Sequence, residues 1–384
     1  MSFMRSTAPK FPATWTVKSF DEAIDDATGG NAKVQTGEYR DHGKLPVIDQ
    51  GQAPIAGYVD DVSLACKAPL PCILFGDHTR TVKYAQVPFA LGADGVKVLV
   101  PRHPLVPRFI YHYLRSVRLP DDLGYSRHFK YLREAPIPVP LPVEQRRIAD
   151  ILDRADAVRR KRKETIAITE ELLRSTFSEM FGDPVTNPKG WPVKPLTTLS
   201  TVTTGNTPSR DVPEYFGDAI EWIKSDNINT PSHYLTPAIE GLSEKGRAVA
   251  RVAPAGSTLM TCIAGSPDCI GNVGLADRQV AFNQQINAVT PNAGVDHRWL
   301  YVLLWLGKRL VQGASTNSMK GMVSKGKLEQ VLWPVPPREQ QKEFGALFDA
   351  ALTLNRRQEA AAGESDVLFG SLAQRAFRGE LTTA

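Results

Sequence analysis

The sequence contains no run of apolar residues close to the roughly 18 to 20 that a membrane-spanning helix requires. Its first residues, MSFMRSTAPKFPATW, also have no apolar core of the kind that a signal peptide carries. Cysteine is scarce, and Cys66, Cys72, Cys262 and Cys269 lie outside the close C-x-x-C pairs that hold structural zinc. We therefore expect a cytoplasmic protein with reduced cysteines and no metal site.

Signatures of an enzyme are equally scarce. An adenine methyltransferase would show a glycine-rich cofactor turn and an Asn/Asp-Pro-Pro-aromatic tetrapeptide, and the sequence has neither. Residues 321–328 (GMVSKGKL) have the G-x-x-x-x-G-K frame of a phosphate loop, but Leu328 stands where a Ser or Thr must bind magnesium. The sequence shows no carboxylate pair of a nuclease metal site, and its seven His are scattered. We predict a chain without a catalytic centre of its own.

The length and composition suit two globular domains joined by other structure. The 384 residues exceed the about 100 to 200 of one domain, and 42% hydrophobic and 23% charged residues are ordinary for a folded protein. Residues 1–141 and 185–337 each have an excess of three basic groups, residues 142–184 are balanced, and residues 338–384 have one more acidic than basic group, which gives the net charge of +5. This distribution weakly favours a polyanionic partner for the two globular parts.

An internal repeat dominates the rest of the sequence. Residues 137–184 and 333–381 each begin with a proline-rich approach and a Glu-Gln pair, Glu144-Gln145 and Glu339-Gln340. Each continues with a proline-free, charged stretch of about 40 residues. Proline is incompatible with a helix interior, and a carboxylate favours the positive end of a helix dipole. Each stretch is therefore predicted to form one long helix, about 60 Å from end to end.

The first predicted helix has an incomplete apolar seam. Between Ile148 and Met180, positions in a four-three spacing are apolar at both ends, but Arg159 and Arg162 occupy the middle. A helix of this length needs a partner for its apolar stripe, and the comparable helix is its own repeat. We predict that the two pack as an antiparallel coiled-coil spacer. Residues 159–163 (RRKRK) are interpreted as a solvated helix face, with phosphate contact as the alternative.

The two remaining segments are similar to each other, although more faintly. Residues 100–143 and 290–337 each contain an amphipathic aromatic helix, a polar basic loop and a short strand that leads into the proline-rich approach. Elsewhere, short β-branched runs bounded by Gly and Pro predict strands. We therefore expect two mixed α+β domains. Their large aromatic residues are interpreted as core rather than base-stacking positions: Phe109, Tyr111, Trp299 and Trp305.

The second segment carries short motifs in a fixed order. They are residues 204–209 (TGNTPS), 213–217 (PEYFG), 220–228 (IEWIKSDNI) and 282–286 (FNQQI). Together with the two proline-rich, Glu-Gln helix starts, they closely resemble the specificity (S) subunits of type I restriction-modification systems. The resemblance covers essentially the whole chain. The first segment lacks the Thr-Pro-Ser motif, but residues 51–55 (GQAPI) and 124–132 (GYSRHFKYL) stand where related elements belong.

The resemblance implies four parts in tandem. A first target recognition domain would cover residues 1–141, a long helix 142–184, a second target recognition domain 185–337 and a second long helix 338–384. Each domain would recognise one half of a split, asymmetric DNA target, with the helix pair as the spacer between them. Two modification subunits that use S-adenosylmethionine for adenine-N6 methylation would dock on the helices. Restriction subunits that use ATP and Mg²⁺ would join in some systems, and this chain would hold no cofactor.

Candidate DNA contacts follow from the chemistry of the major groove. Arg or Lys recognises guanine and Asn or Gln recognises adenine, with phosphate contacts around them. The candidates are Arg80, Lys83, Arg127, His128 and Lys130 in the first domain and Lys224, Asn227, Asn229, Ser318 and Lys320 in the second. Lys325 and Lys327, in the same basic loop as Lys320, are candidate phosphate contacts. An ordinary solvated loop is the alternative for each.

Two other classes of function stay open at this point. An enzyme with an unrecognised centre would act alone and would bind a metal or S-adenosylmethionine tightly. A pure assembly scaffold would leave target choice unchanged after substitutions in the recognition loops. A closer variant is a specificity subunit that serves methylation alone, which the sequence does not distinguish from one that also serves restriction.

Overall fold

The computed structural model describes residues 11–93, 95–120, 127–316 and 321–381. Internal contacts divide the chain into two compact units. The first unit comprises Met1–Lys163 and Glu359–Ala384, and the second comprises Glu164–Gln358. Both boundaries fall inside long helices, because each helix packs against one domain near its start and against the other near its end.

The first unit contains short strands and helices followed by one half of each long helix. Its elements are β1 (Thr16–Lys18), α1 (Phe20–Ala23), β2 (Ile24–Asp26), β3 (Leu45–Ile48), β4 (Gly57–Val59), β5 (Cys72–Gly76), β6 (Val82–Ala85), β7 (Ala90–Leu91), β8 (Val96–Pro101), α2 (Pro107–Ser116), α3 (Phe129–Leu132), β9 (Ile137–Val139) and the start of α4 (Pro142–Phe181). β5 is buried at every position, which suits its apolar run CILFG.

The described residues of the first domain form three sheets. A four-stranded antiparallel sheet has the order β2-β8-β5-β6, and a three-stranded sheet has the order β4-β3-β7. In the three-stranded sheet, β3 is antiparallel to β4 but parallel to β7, with Ile48 beside Leu91. β1 pairs with β9 and so joins the two ends of the domain. The aromatic side chain of Phe109 on α2 is fully buried in the core.

The second unit contains the end of α4 and then a larger set of elements. They are β10 (Val193–Pro195), β11 (Ser200–Thr204), β12 (Phe216–Ile223), β13 (Gly241–Leu242), α5 (Glu244–Val249), β14 (Val252–Ala253), β15 (Thr258–Thr261), β16 (Ile263–Ala264), β17 (Val273–Leu275), β18 (Val280–Phe282), β19 (Ile286–Pro291), α6 (His297–Leu306), α7 (Lys308–Gly313), β20 (Gly321–Met322), α8 (Lys325–Gln330), β21 (Leu332–Pro334) and the start of α9 (Arg338–Phe377).

The second domain repeats the strand order of the first. Its four-stranded sheet β11-β19-β15-β17 corresponds to β2-β8-β5-β6, strand for strand along the chain. β12 is antiparallel to β13 and parallel to β18, as β3 is to β4 and β7, with Ile223 beside Phe282. β10 pairs with β21 as β1 pairs with β9. The additions are β14, which extends the second sheet, and the pair β16-β20. The faint echo in the sequence is therefore a duplication of the fold.

Within the first unit, the two long helices pack side by side in opposite directions. Arg147 on α4 donates a hydrogen bond to the backbone oxygen of Leu381, whereas Arg159, further along α4, lies 2.5 Å from Asp366 on α9. Higher residue numbers on α4 lie beside lower residue numbers on the C-terminal segment, so the two helices are antiparallel. Phe377 of α9 joins the core of the first domain.

Within the second unit, the other halves of the helices form an aromatic core. The rings of Phe177 and Phe181 on α4 have centroids 5.2 Å and 5.6 Å from that of Phe344 on α9. Trp299 of α6 is fully buried against them. The predicted long helices, their antiparallel packing and the two α+β domains are thus confirmed. Phe109 and Trp299 are core residues as predicted, while Tyr111 and Trp305 are half-buried at its edge.

Ion pairs attach the first domain to α4. From α2, Arg108 pairs with Asp153, the His112 ring nitrogen lies 2.7 Å from the other oxygen of Asp153, and Arg115 lies 3.1 Å from Asp156. The spacing of three to four residues on both helices places each basic group opposite an acidic one. The polar faces of two amphipathic helices therefore fix how α2 lies on α4.

The charged middle of α4 serves two roles. Arg159 pairs with Asp156 and Asp366, and its guanidinium lies 4.5 Å from the ring centre of Phe369. Arg160 and Lys163 are 75% and 61% exposed. The apolar seam is therefore interrupted by an interhelical ion pair, and part of the basic run is the solvated face that the sequence predicts.

Candidate nucleic-acid interface

The sequence motifs of the second domain meet at one edge of its second sheet. Because β12 and β18 are parallel and Ile223 lies beside Phe282, their carboxyl ends coincide. Lys224 and Asn283, the next residues of each strand, therefore follow at the same edge. The backbone N–H of Asn283 donates to the carbonyl oxygen of Ile223 at 3.1 Å, which continues the strand pairing by one residue.

The Thr-Gly-Asn-Thr-Pro-Ser loop is anchored to this edge. A Cβ atom on Gly205 would lie 2.2 Å from the backbone oxygen of Asn283, so only glycine permits the approach. The side chain of Asn206 donates to the backbone oxygen of Val249 at 3.0 Å and accepts from the N–H of Arg251 at 2.6 Å. The motif residues Gly205 and Asn206 thus position the loop.

A cluster of three partly exposed charged side chains, beside the half-buried Phe216 and the buried Trp222, follows that loop. The carboxylate of Glu240 lies 2.9 Å from the Arg210 guanidinium and 3.0 Å from the Lys224 ammonium group. The guanidinium also lies 4.9 Å from the ring centre of Phe216 and 5.5 Å from that of Trp222. Hydrogen bonds from Lys224 and Arg210 lower the pKa of Glu240 below its ordinary value, so the carboxylate is ionised. Neither Arg210 nor Glu240 is among the DNA contacts predicted from the sequence.

The asparagines predicted as base contacts have local partners. The side-chain oxygen of Asn227 accepts from the N–H of Lys224 at 3.0 Å, and its amide donates to the backbone oxygen of Pro237 at 3.0 Å. The side-chain oxygen of Asn229 accepts from Asn272 at 2.7 Å. These bonds stabilise the turn after β12. Lys224 is half-buried and lies at the edge, in the cluster with Glu240.

The predicted basic loop is described only in part. Ser318 and Lys320 lie outside the described residues. Lys325 and Lys327 are exposed in the first turn of α8, and the Lys325 ammonium group lies 3.6 Å from Glu329. The hydroxyl of Ser324 accepts from the N–H of Lys327 and caps α8. Leu328, at the position of the magnesium ligand in a phosphate loop, is fully buried, so the segment does not have the phosphate-loop arrangement.

In the first domain, Lys83 is a buried structural residue. Only 9% of its side chain is exposed, its ammonium group donates to the backbone oxygen of Ala53 at 2.6 Å, and Asp49 lies 3.6 Å away. Burial lowers the pKa of Lys83, and the neighbouring Asp49 opposes that shift. The lysine stabilises residues 51–55, the segment that the sequence singled out.

The other candidates of the first domain lie around α3. His128 is 2% exposed, and the side-chain nitrogen of Arg80 lies 3.4 Å from its ring. Burial, and then the charge of Arg80, lower the pKa of His128. Arg127 and Lys130 are exposed, with the Lys130 ammonium group 4.7 Å from the ring centre of Tyr131. The structure therefore brings Arg80 and His128 together and leaves Arg127 and Lys130 accessible.

Residues 11–93, 95–120, 127–316 and 321–381 contain no group of three or more His, Cys, Asp or Glu side chains arranged to hold a metal ion. The four cysteines are free thiols, as expected. No helix in the described part of the chain is both long enough and apolar enough to cross a membrane.

Comparison with known proteins gives a consistent family. The type I restriction modification DNA specificity domain matches residues 12–170 and 188–361. The specificity subunit of the type I restriction enzyme MjaIX of Methanocaldococcus jannaschii is 32% identical over 183 residues, which are 44% of this chain and 40% of that protein. The specificity subunit of the type I restriction enzyme HindI of Haemophilus influenzae is 30% identical over 141 residues, 36% of this chain and 28% of that protein. These two matches span less than half of either relative.

A third relative matches over most of its length. The specificity subunit of EcoR124I/EcoR124II of Escherichia coli is 23% identical over 349 residues, 84% of this chain and 82% of that protein. Among solved structures, the S subunit of a type I restriction-modification system from M. genitalium has a TM-score of 0.59 at 14% identity, covering 97% of this chain and 99% of that one. A chain from a study of type I complex assembly and conformational transition has a TM-score of 0.53 at 19% identity, covering 97% and 100%. Both share the fold.

The fold defines a class: an α+β domain that occurs twice in the chain, with each copy packed against segments of two antiparallel long helices. The chain belongs to the family of type I restriction-modification DNA specificity domains. This membership confirms the family that the sequence motifs resemble. The individual contact residues named from the sequence stay predictions.

Proposed function

We propose that the two domains of this chain recognise the two halves of a bipartite, asymmetric DNA target within a type I restriction-modification complex. The duplication carries the proposal, since one strand order occurs twice with different charged residues at the equivalent edge. Bases are distinguished by the donors and acceptors that they present in the major groove. Two copies of one fold with different side chains at that edge would therefore recognise different half-sites.

Two modification subunits that bind S-adenosylmethionine would perform adenine-N6 methylation, and restriction subunits that use ATP and Mg²⁺ would cleave DNA where cleavage occurs. Apolar side chains on the long helices support docking of such partners. Val158, Ile168, Leu172, Leu354, Val367 and Leu368 are 44% to 75% exposed. A partner that docked on these helices would cover these apolar side chains and remove them from water. The assembled complex would act on DNA in the cytoplasm.

The recognition step is tested by co-expressing the chain with its modification subunit in a host without DNA methylation. Mapping of N6-methyladenine should give one motif with two specific parts and an unspecified gap. The modification subunit alone should give no such motif. A continuous motif, or the same split motif from the modification subunit alone, would assign recognition elsewhere and leave this chain a scaffold.

The docking step is tested by charge substitutions on the exposed helix surface. Val367→Asp together with Leu368→Asp should prevent co-purification of the modification subunit, because a buried, unpaired carboxylate is costly at an interface. Glu364→Ala, on the same helix and also exposed, is the matched control and should leave co-purification intact. Unchanged co-purification with the double variant would place the docking surface elsewhere.

A further inference from the structure

Three charged side chains on the second domain stand in a row, and aromatic rings fix one end of it. The Arg210 guanidinium lies near the rings of Phe216 and Trp222, which restricts the plane that it adopts. Glu240 bridges Arg210 and Lys224 through its two oxygens. The side chains of Arg210, Lys224 and Glu240 are 59%, 36% and 38% exposed. The row is therefore ordered and accessible to a ligand at the same time.

The first domain shows that the fold does not require this row. Ile48 and Ile223 occupy the same place in the parallel strand pairs, so Lys224 corresponds to Asp49. Gly57 lies opposite Val47 as Glu240 lies opposite Trp222, so Glu240 corresponds to Gly57. Asp49 pairs with the buried Lys83 instead. Exposed ion pairs also contribute little to stability. The second domain has this cluster and the first domain lacks it, so the fold does not require it. We infer that the cluster binds a ligand.

The order of groups in the row matches one base pair. In the major groove, guanine presents two acceptors, N7 and O6, and its paired cytosine presents an amino donor beside them. A guanidinium supplies two parallel donors, and a carboxylate beside it supplies an acceptor. Arg210 and Glu240, 2.9 Å apart, offer that complementary sequence of donors and acceptor. A phosphate fits less well, because the ionised Glu240 would repel it.

We propose that Arg210 and Glu240 recognise one G·C base pair in the half-site of the second domain, and that Lys224 positions the Glu240 carboxylate. The inference rests on the proposed function, because it requires that this domain bind DNA. It adds the base pair and the residues that recognise it. Arg210 would donate to guanine O6 and N7, and Glu240 would accept from cytosine N4.

The test uses the full chain, co-expressed with its modification subunit, and maps N6-methyladenine for Arg210→Ala, Arg210→Lys and Glu240→Gln. Arg210→Lys keeps the charge and the ion pair but removes the bidentate fork. Lys245→Ala is the matched control, because it removes another exposed ion pair of the same domain, with Glu214. We expect discrimination at one G·C position to fall by at least about tenfold in the three test variants. The other half of the motif and the control should be unchanged.

Different experimental outcomes would contradict the proposed function and the recognition of a G·C base pair. A wild-type chain that gives no split motif would contradict the proposed function. A split motif that Arg210→Lys and Glu240→Gln both leave unchanged would overturn the inference alone. A uniform loss of methylation at all target sites, without a change in the recognised bases, would also overturn the inference. Loss of a phosphate contact weakens binding to every sequence and leaves base preference unchanged. If Arg210→Ala does not fold, Arg210→Lys decides.

A chemical substitution in the DNA provides an independent measurement. Once the motif is known, the guanine at the affected position is replaced by 7-deazaguanine, which lacks the N7 acceptor. Binding to the wild-type complex should weaken by roughly tenfold, whereas binding to the Arg210→Ala complex should show no further loss. An equal loss with both complexes would overturn the contact between Arg210 and guanine N7.

Discussion

The two domains share one fold, but the corresponding edges of their second sheets differ in charge and exposure. In the first domain, Asp49 at this edge pairs with the buried Lys83. In the second, Lys224 at the corresponding position joins an exposed row with Glu240 and Arg210. The two domains thus share a strand order although the side chains at this edge differ. The buried apolar residues that hold the strands together lie inside each domain, behind this edge. A duplicated domain can therefore change its ligand without changing its fold.

The domains also differ in how they attach to the long helices. The first uses a row of ion pairs between α2 and α4, with the His112 ring at 2.7 Å from Asp153. The second uses an aromatic core around Phe177, and adds a His233 ring 2.8 Å from Glu170. Both attachments contain an apolar core, and the first adds a row of charged contacts along α2. Their responses to substitution and to pH should therefore differ.

The largest effect is expected for Phe177→Ala in the second unit. Phe177 is fully buried and contacts Phe181 and Phe344, so its truncation should cost about 3 to 5 kcal/mol. Hydrogen exchange should show faster opening of β15 and β19, while β5 and β8 of the first unit stay protected. Leu172→Ala, at a position 59% exposed, is the control and should change little. Equal loss of protection in both units would show that they do not unfold separately.

The next effect is expected for Gly205→Ala. The added Cβ would meet the backbone oxygen of Asn283 at 2.2 Å, so the loop must shift, at a cost of about 1 to 3 kcal/mol. Recognition of one half of the motif should weaken and that of the other should persist. Gly265→Ala in the same domain is the control, since nothing lies within 4 Å of its Cβ. A motif unaffected by Gly205→Ala would exclude this loop from recognition.

A smaller effect concerns the pH dependence of the first unit. Burial lowers the pKa of His112, although the hydrogen bond to Asp153 opposes the shift. The unfolded chain therefore takes up the proton at higher pH, and the free energy of unfolding should fall as the pH drops below about 6.5. Hydrogen exchange of β5, corrected for the intrinsic pH dependence, measures this fall. His112→Phe should reduce the slope and leave the part that His128 contributes, because the pKa of His128 is also lowered. An unchanged slope in that variant would assign the acid sensitivity to other groups.

The smallest effect on stability is expected for Glu240→Gln. Its ion pairs with Arg210 and Lys224 are exposed, so thermal unfolding should change by less than about 1 kcal/mol. The same variant should nevertheless alter the recognised motif. A large loss of stability would indicate that the row supports the fold, which would weaken the contrast with the first domain.

The sequence predicts the large elements well. Proline-rich approaches, Glu-Gln pairs and proline-free charged stretches determine where α4 and α9 begin, because these signals are local. The duplication of the two domains is also visible in the sequence, because both segments contain the same kinds of helix, loop and strand pattern in the same order. Only the register of the strands shows that Lys224 corresponds to Asp49.

Individual site residues are harder to predict, because a sequence does not show whether a polar side chain already has a partner. Asn227 resembles a base contact in sequence but stabilises its own turn. Lys83 resembles a surface lysine but is buried beside Asp49. Arg210 and Glu240 are 30 residues apart, and only the fold brings them together. The one local clue was that Arg210 directly follows the Thr-Pro-Ser motif.

The central claim is that each domain recognises its own half of the target, and exchange of one domain tests it most directly. Residues 185–337 are replaced by the second domain of another specificity subunit, and N6-methyladenine is mapped after co-expression with the modification subunit. The account predicts a split motif in which one half changes and the other is retained. Methylation that persists with an unchanged motif would contradict it and would assign recognition to the partner.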